Sequence, residues 1–148
     1  MKAELMSIHF EENTLTAKQF LLLRQSVGGT GVELQIEKAL ESGLYTILAK
    51  DGEQVVGMGR LVGDGFTICY IQDLIVLPEY QGKGIGTAIM EKLIDYIKDN
   101  AIPNTYVTAG LFSAKGKESF YEKFGFYIRP NENRGAGMEI GIKSKIHD

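Results

Sequence analysis

The run Gln-Gly-Lys-Gly-Ile-Gly at 81–86 sets three glycines where a strongly amphipathic helix begins, and no other stretch narrows the fold as much. Ile85, Ile89, Leu93 and Ile97 recur every fourth residue, with Glu91, Lys92, Asp95, Lys98 and Asp99 on the other side, the period of a helix packed on one face. Asn100 and Pro103 mark its end. Glycine weakens a helix relative to alanine, so Gly82, Gly84 and Gly86 need another reason. A strand running through a glycine turn into a helix supplies one. The first helical amides have no intrahelical partner, the helix dipole favours an anion there, and no Cβ blocks its approach. Each helix-end charge interaction is worth about 0.3–2 kcal/mol, so several amides meeting one pyrophosphate hold it usefully well. The run is not a Walker loop. Nor is it the dinucleotide fingerprint, which wants its last glycine where Thr87 stands.

The rest of the chain frames this turn. Residues 3–10 read as a first strand. "LTAKQFLLLRQSVGG" reads as a helix capped by Thr16 with Gln19, Leu15 stapling onto Phe20, and "GVELQIEKALESG" as a second helix ended by Gly43. "LYTILAK" and "EQVVGMGRLV" form a hairpin across Asp51-Gly52, and "GDG" at 63–65 turns into the long central strand "FTICYIQDLIVLP". "TYVTAGL" follows the glycine-led helix as a strand, so this strand–helix–strand unit carries a parallel pair. A last helix near "KGKESFYEKF" closes at Gly125, and "FYIRP" and "GMEIGIK" can pair around "NENRGA". The expectation is a mixed α/β sheet, antiparallel first and parallel at the glycine turn.

Composition bounds the function. At 148 residues, with 44% apolar and 24% charged content, the chain reads as one soluble globular domain over 1–148. The start "MKAELMSIHFEEN" lacks the layout of a secretory signal and no apolar run reaches membrane-span length. The net charge of −3 speaks against a nucleic-acid binder and is compatible with a cationic small molecule. The single cysteine, Cys69, sits mid-strand as a core thiol and suits a reducing cytoplasm. His9 and His147 stand far apart without ligand-spaced partners, so no metal site is expected. Arg60 and Arg129 read equally well as substrate-pairing groups or surface charges.

Gln81, Gly84 and Gly86 match the acetyl-coenzyme A motif of the GNAT N-acetyltransferases: Gln or Arg, two residues, Gly, one residue, Gly or Ala. The motif begins just past a strand ending in "VLP". Further on, "SFYEKFGFYIRP" resembles the family's Phe-Tyr-x-Lys-x-Gly-Phe signature. The order of elements over nearly the whole chain is also similar. The resemblance implies the GNAT fold: a mixed, mostly antiparallel six- to seven-stranded sheet with a parallel central pair, flanked by about four helices.

It also implies roles. Backbone groups of Leu74, Ile75, Val76 and Leu77 would hold the pantetheine arm, and an amide near Leu74 or Val76 would polarise the thioester carbonyl. The amides of Gly82, Lys83, Gly84, Ile85, Gly86 and Thr87, entered through Gln81, would hold the pyrophosphate. Tyr121 would protonate the leaving thiolate, whose thiol has a pKa of roughly 8.5. Read without the family, Tyr121 is one more aromatic beside the Phe120/Phe124 stripe.

The base is less defined. An alkyl amine with a pKa near ~10.4 is only about one part in a thousand nucleophilic at neutral pH, so a base or ordered water matters. Where relatives carry Glu or His, this chain has Tyr70 and Gln72, which then read as acceptor-binding positions. Strict alternation puts Tyr70, Gln72 and Leu74 on one face and Ile71, Asp73 and Ile75 on the other. Asp73 is the nearest carboxylate. A bulge would turn it toward the cleft, while its structural role would be to fix a neighbouring loop.

The expectation is thus an acetyl-CoA-dependent N-acetyltransferase acting on the primary amine of a small molecule, with no nucleic-acid or membrane partner. "RPNENRGAGMEI" resembles a subgroup that includes arylalkylamine acetyltransferases. A CoA-binding sensor without catalysis and a protein or peptide acetyltransferase are the alternatives. A homodimer is compatible with the sequence, which does not fix the oligomeric state.

Overall fold

The computed structural model describes residues 7–146. Ten elements follow one another: β1 (Ile8–Glu12), α1 (Ala17–Ser26), α2 (Glu33–Ser42), β2 (Tyr45–Asp51), β3 (Gln54–Gly63), β4 (Ile68–Val76), a 3-10 turn (Pro78–Tyr80), α3 (Ile85–Asn100), β5 (Thr108–Gly110) and α4 (Glu118–Glu122). The strands form one sheet in the order β1-β2-β3-β4-β5. The first three pairings are antiparallel and β4–β5 is parallel. The chain divides into two compact units, Met1–Leu111 and Phe112–Asp148.

Within the first unit, local chemistry sets each boundary. Thr16 caps α1 with a full capping box: its hydroxyl accepts from the Gln19 amide, and the Gln19 side chain accepts from the Thr16 amide. Leu15 and Phe20 are both buried, as a staple across that cap requires. The hairpin falls one residue later than expected. Asp51 pairs with Gln54, so Gly52-Glu53 is the loop, and Gly52 takes φ +60° at the first central position, where a type II′ turn places glycine.

The two helical layers lie on opposite faces of the sheet. On one face, Phe20 of α1 lies under the guanidinium of Arg60 from β3. On the other, Ile85, Ile89, Leu93 and Ile97 of α3 are all buried. Each such side chain stabilises the fold by about 1.5–3 kcal/mol relative to exposure. Gly59 of β3 is what lets α3 come this close. A Cβ there would stand 2.7 Å from Ile89 Cγ2 and 3.1 Å from Leu93 Cδ1. Tyr45 of β2 stacks on Tyr96 of α3 at 4.2 Å and donates its hydroxyl to Glu12 at 2.6 Å.

Several expected elements are shorter or absent. The expected first strand began at residue 3; residues 3–6 lie outside the described residues, and the observed strand runs Ile8–Glu12. "TYVTAGL" yields only the three residues of β5, and the last helix has five. "FYIRP" and "GMEIGIK" form no strand among the described residues, so the sheet has five strands rather than six or seven. Composition explains part of this. Pro130 has no N–H to give a ladder, and Gly137 and Gly141 weaken the return strand. A turn in which the Asn131 amide donates to the Arg134 carbonyl at 3.0 Å occupies the stretch between. The second unit is organised instead by aromatic edges: Phe120 meets Tyr121 at 5.1 Å and Phe124 at 5.4 Å.

Candidate active site

The first unit concentrates chemically useful backbone where β4 hands over to α3. Leu77 donates its amide to Val56 at 2.8 Å, the last tie to the sheet before the chain leaves it. The 3-10 turn follows and is pinned from the side. The Tyr80 hydroxyl donates to Asp51 Oδ2 at 2.7 Å and lies 3.2 Å from Gln54 Oε1, both on the neighbouring hairpin. The bond to Asp51 raises the Tyr80 phenol above its ordinary pKa, so it stays protonated. Lys83 sits over the Tyr80 ring at 5.5 Å.

Gly82 and Gly84 both take left-handed φ, +78° and +88°. A Cβ on Gly82 would meet nothing within 4 Å, so that glycine is required by conformation and not by crowding. Gly84 is the N-cap of α3, and no side chain caps this helix. The Ala88 amide is the first to reach back, to the Gly84 carbonyl at 3.0 Å. The amides of Ile85, Gly86 and Thr87 therefore stand at the positive end of a 16-residue helix without an intrahelical acceptor. Gln81 plays a part the sequence did not disclose: its Nε2 donates to the Val76 carbonyl at 2.9 Å.

Strand β4 carries a bulge. Arg60 pairs with Gln72 and Met58 with Ile75, so Gly59 alone opposes both Asp73 and Leu74. Asp73 takes φ +54°, which aspartate tolerates better than most residues. The inserted residue breaks the expected alternation. Gln72 and Ile75 now share the face of Arg60 and Met58, and Tyr70 joins them opposite Val62. Leu74 turns to the α3 side, where its Cδ1 would lie 3.6 Å from a Cβ on Gly59. The grouping of Leu74 with Tyr70 and Gln72 is therefore corrected, because a period of two cannot register an extra residue.

Asp73 has a partner. Its Oδ2 accepts from Arg60 Nε at 2.9 Å, with the two side chains 9% and 12% exposed. Arg60 was legible only as a surface or substrate-pairing charge, and a count back across the 63–68 turn is the signal that sets it near the bulge. Arg129 of the second unit donates Nε to the Gly135 carbonyl at 2.6 Å. Tyr121, also in the second unit, meets Phe126 at 6.3 Å besides Phe120, and both Phe120 and Phe124 are half-buried rather than buried. Cys69 is fully buried, which raises its thiol pKa. Among the described residues, no group of three His, Cys, Asp or Glu is placed to hold a metal ion, and no helix is long and apolar enough to cross a membrane.

Residues 9–126 match the family model described as "Acetyltransferase (GNAT) family". The chain belongs to the GNAT acetyltransferases. Among GNAT relatives, an N-acetyltransferase from Prochlorococcus marinus described as ycf52-like is 30% identical over 128 residues, 83% of this chain and 69% of that protein. A serotonin N-acetyltransferase 2 of rice, Oryza sativa subsp. japonica, is 31% identical over 80 residues, 54% of this chain and 38% of that chloroplastic protein. A probable acetyltransferase from meticillin-resistant Staphylococcus aureus superposes with a TM-score of 0.80 at 32% identity, covering 91% of this chain and 99% of that one. The mixed sheet with its parallel β4–β5 pair is thus the GNAT arrangement, and acyl transfer is the family's chemistry.

Proposed function

We propose that this GNAT chain moves an acetyl group from acetyl-CoA to the primary amine of a small molecule. The observation that carries the reading is the uncapped start of α3 behind left-handed Gly82 and Gly84, at the end of a bulged β4. The fit to a diphosphate is good on this chain's own terms. Three first-turn amides lack acceptors, no side chain competes for them, and a Cβ on Gly82 would meet only open space.

In this reading acetyl-CoA, when bound, supplies a thioester whose C–S bond breaks as the amine nitrogen forms its C–N bond. The amides from Gly82 to Thr87 hold the diphosphate, with Lys83 adding a screened attraction. Backbone groups of Ile75 and Val76 orient the arm, Leu77 supports them through its own bonds to Val56 and Tyr80, and an amide near Leu74 or Val76 holds the carbonyl as negative charge develops. Tyr70 and Gln72, on the same face as Arg60, contact the acceptor. Tyr121 gives its phenolic proton to the leaving sulfur. The amine's proton leaves through ordered water, since neither Tyr70 nor Gln72 is a base at neutral pH. The chain acts as one domain over 1–148, a reading supported by the continuity of the family match across Leu111 and Phe112. The buried thiol of Cys69 is in keeping with a reducing cytoplasm.

The acceptor is the finer step. "RPNENRGAGMEI" and the name of the rice relative both support arylalkylamines within the small-amine class. Two measurements test the reading together. Calorimetry with CoA and acetyl-CoA on folded protein should show binding. Mass spectrometry of acetyl-CoA incubated with arylalkylamines, polyamines, aminoglycosides, amino acids and peptides should show an acetylated small amine. Binding without any product would point to a CoA sensor, and product from peptides alone to a protein acetyltransferase. No heat at saturating CoA would end the donor assignment.

A further inference from the structure

Among its described residues, the first unit holds one ion pair in which both side chains are nearly buried, and it sits at the bulge. The other pairs among the described residues all involve a more exposed carboxylate: Glu11 at 32% with His9 and Lys50, and Glu41 at 66% with Lys38. Arg60 and Asp73 are 12% and 9% exposed. Burying two charges is not by itself a route to stability, and an apolar pair of similar volume often does as well. Such a pair earns attention for what it orients.

The bulge needs an anchor. Opposite Gly59 the β3–β4 register skips a residue, and a bulge leaves its extra residue outside the ladder. The direction of the Asp73–Leu74 backbone must then be fixed by something other than strand pairing. Asp73 has left-handed φ, and its carboxylate reaches Arg60 on the adjacent strand. Arg60 is itself held. Its guanidinium lies 5.6 Å from the centroid of the Phe20 ring, and Arg24 of α1 lies 5.7 Å from the same centroid. Phe20 is 1% exposed. A chain of contacts therefore runs from α1 through Phe20 and Arg60 to the one non-glycine residue of β4 with positive φ.

We propose that Arg60 and Asp73 are positioning residues, a buried pair that aims the Leu74 amide at the thioester carbonyl and couples that aim to helix α1. The inference rests on the acetyltransferase reading for its catalytic consequence. It assigns Asp73 the orienting role in place of the base: its Oδ2 is already engaged by Arg60 Nε at 2.9 Å.

The test uses the full chain with Asp73→Asn, Arg60→Met and the double variant. Each single change is expected to lower kcat by about 10- to 100-fold through misplacement of the carbonyl-holding amide. Acetyl-CoA affinity by calorimetry should stay unchanged, and the pH–rate profile should keep both limbs. The double variant should be no worse than the worse single one, because both act through one contact. Loss of a limb of the profile in Asp73→Asn, with kcat intact in Arg60→Met, would make Asp73 the base and overturn the proposal. So would full kcat in both variants. If a single variant fails to fold, Arg60→Met with Asp73→Gly removes both buried charges and suits the backbone at φ +54°, and the same loss of kcat is expected of it. The amide resonance of Leu74 separates this proposal from the functional reading, because its chemical shift reports the direction and surroundings of that N–H with no substrate present. A displaced resonance in Arg60→Met is expected even if the wild type transferred no acetyl group, and an unchanged one would overturn the pair's role outright.

Discussion

Gln81 Nε2 donates to the carbonyl of Val76 at 2.9 Å, folding the entrance of the glycine turn back onto the end of β4. The contact fixes where the turn starts relative to the strand, so the glutamine of the family motif acts here through the backbone. Gln81→Ala removes a donor and is expected to cost about 1 kcal/mol of stability, a shift readable in thermal melts. Gln81→Glu should bind CoA more weakly still. It sets a carboxylate against a carbonyl oxygen and puts negative charge near the positive end of α3, where a diphosphate would compete with it. Calorimetry with CoA should find Gln81→Glu weaker than Gln81→Ala by about tenfold.

The glycines of the turn separate by conformation. Gly82 and Gly84 have φ of +78° and +88°, whereas Gly86 lies inside α3. Alanine at 82 or 84 is expected to lose about 1–2 kcal/mol for the left-handed backbone alone, since at 82 a Cβ would meet no neighbour. Chemical denaturation should register that loss, and CoA affinity should fall with it because the amides no longer converge. A Gly82→Ala protein with unchanged stability would show that the turn relaxes to another conformation.

What the sequence revealed follows from which forces are local. The capping box of Thr16 and Gln19 and the Ile85–Ile89–Leu93–Ile97 stripe depend on neighbours in the chain, and both stand as read. The β4 faces were misread past Gln72 because the bulge is a property of two strands together, and only the pairing with β3 exposes it. The partner of Asp73 lies 13 residues away across a turn, and only a count back through that turn brings Arg60 near it. The closing segments failed differently. "GMEIGIK" alternates as a strand does, yet Met138, Ile140 and Ile142 are 89%, 80% and 83% exposed, so period alone did not provide a pairing partner.

Tyr121→Phe removes a phenolic oxygen and leaves the ring, whose edges meet Phe120 and Phe126 within the second unit. The packing role should survive, so the melting temperature should move little. If the hydroxyl protonates the departing sulfur, kcat should fall by about 100-fold or more, in the range of a lost general acid. Acetyl-CoA affinity should hold. Steady-state kinetics beside calorimetry separates the two effects, and equal kcat in both proteins would remove Tyr121 from the chemistry.

Asp64 gives the fold a pH dependence of known sign. Its Oδ1 accepts from the amides of Phe66, Thr67 and Ile68 at 2.8, 2.7 and 3.0 Å, and its Oδ2 accepts from the Thr67 hydroxyl. Those bonds, the Thr67 hydroxyl first, hold the carboxyl well below the usual carboxylate range. A group whose pKa is lowered on folding binds fewer protons in the native state than in the unfolded one, so stability rises with pH across that window. The contribution is complete above the unfolded value, about 4, and is lost progressively as acid titrates the folded group. Asp64→Asn should therefore lower the melting temperature at pH 7, and the gap from wild type should close as the pH is taken down from 5 toward 2. A gap that stays constant over that range would mean that the Asp64 charge does not stabilise the turn between β3 and β4.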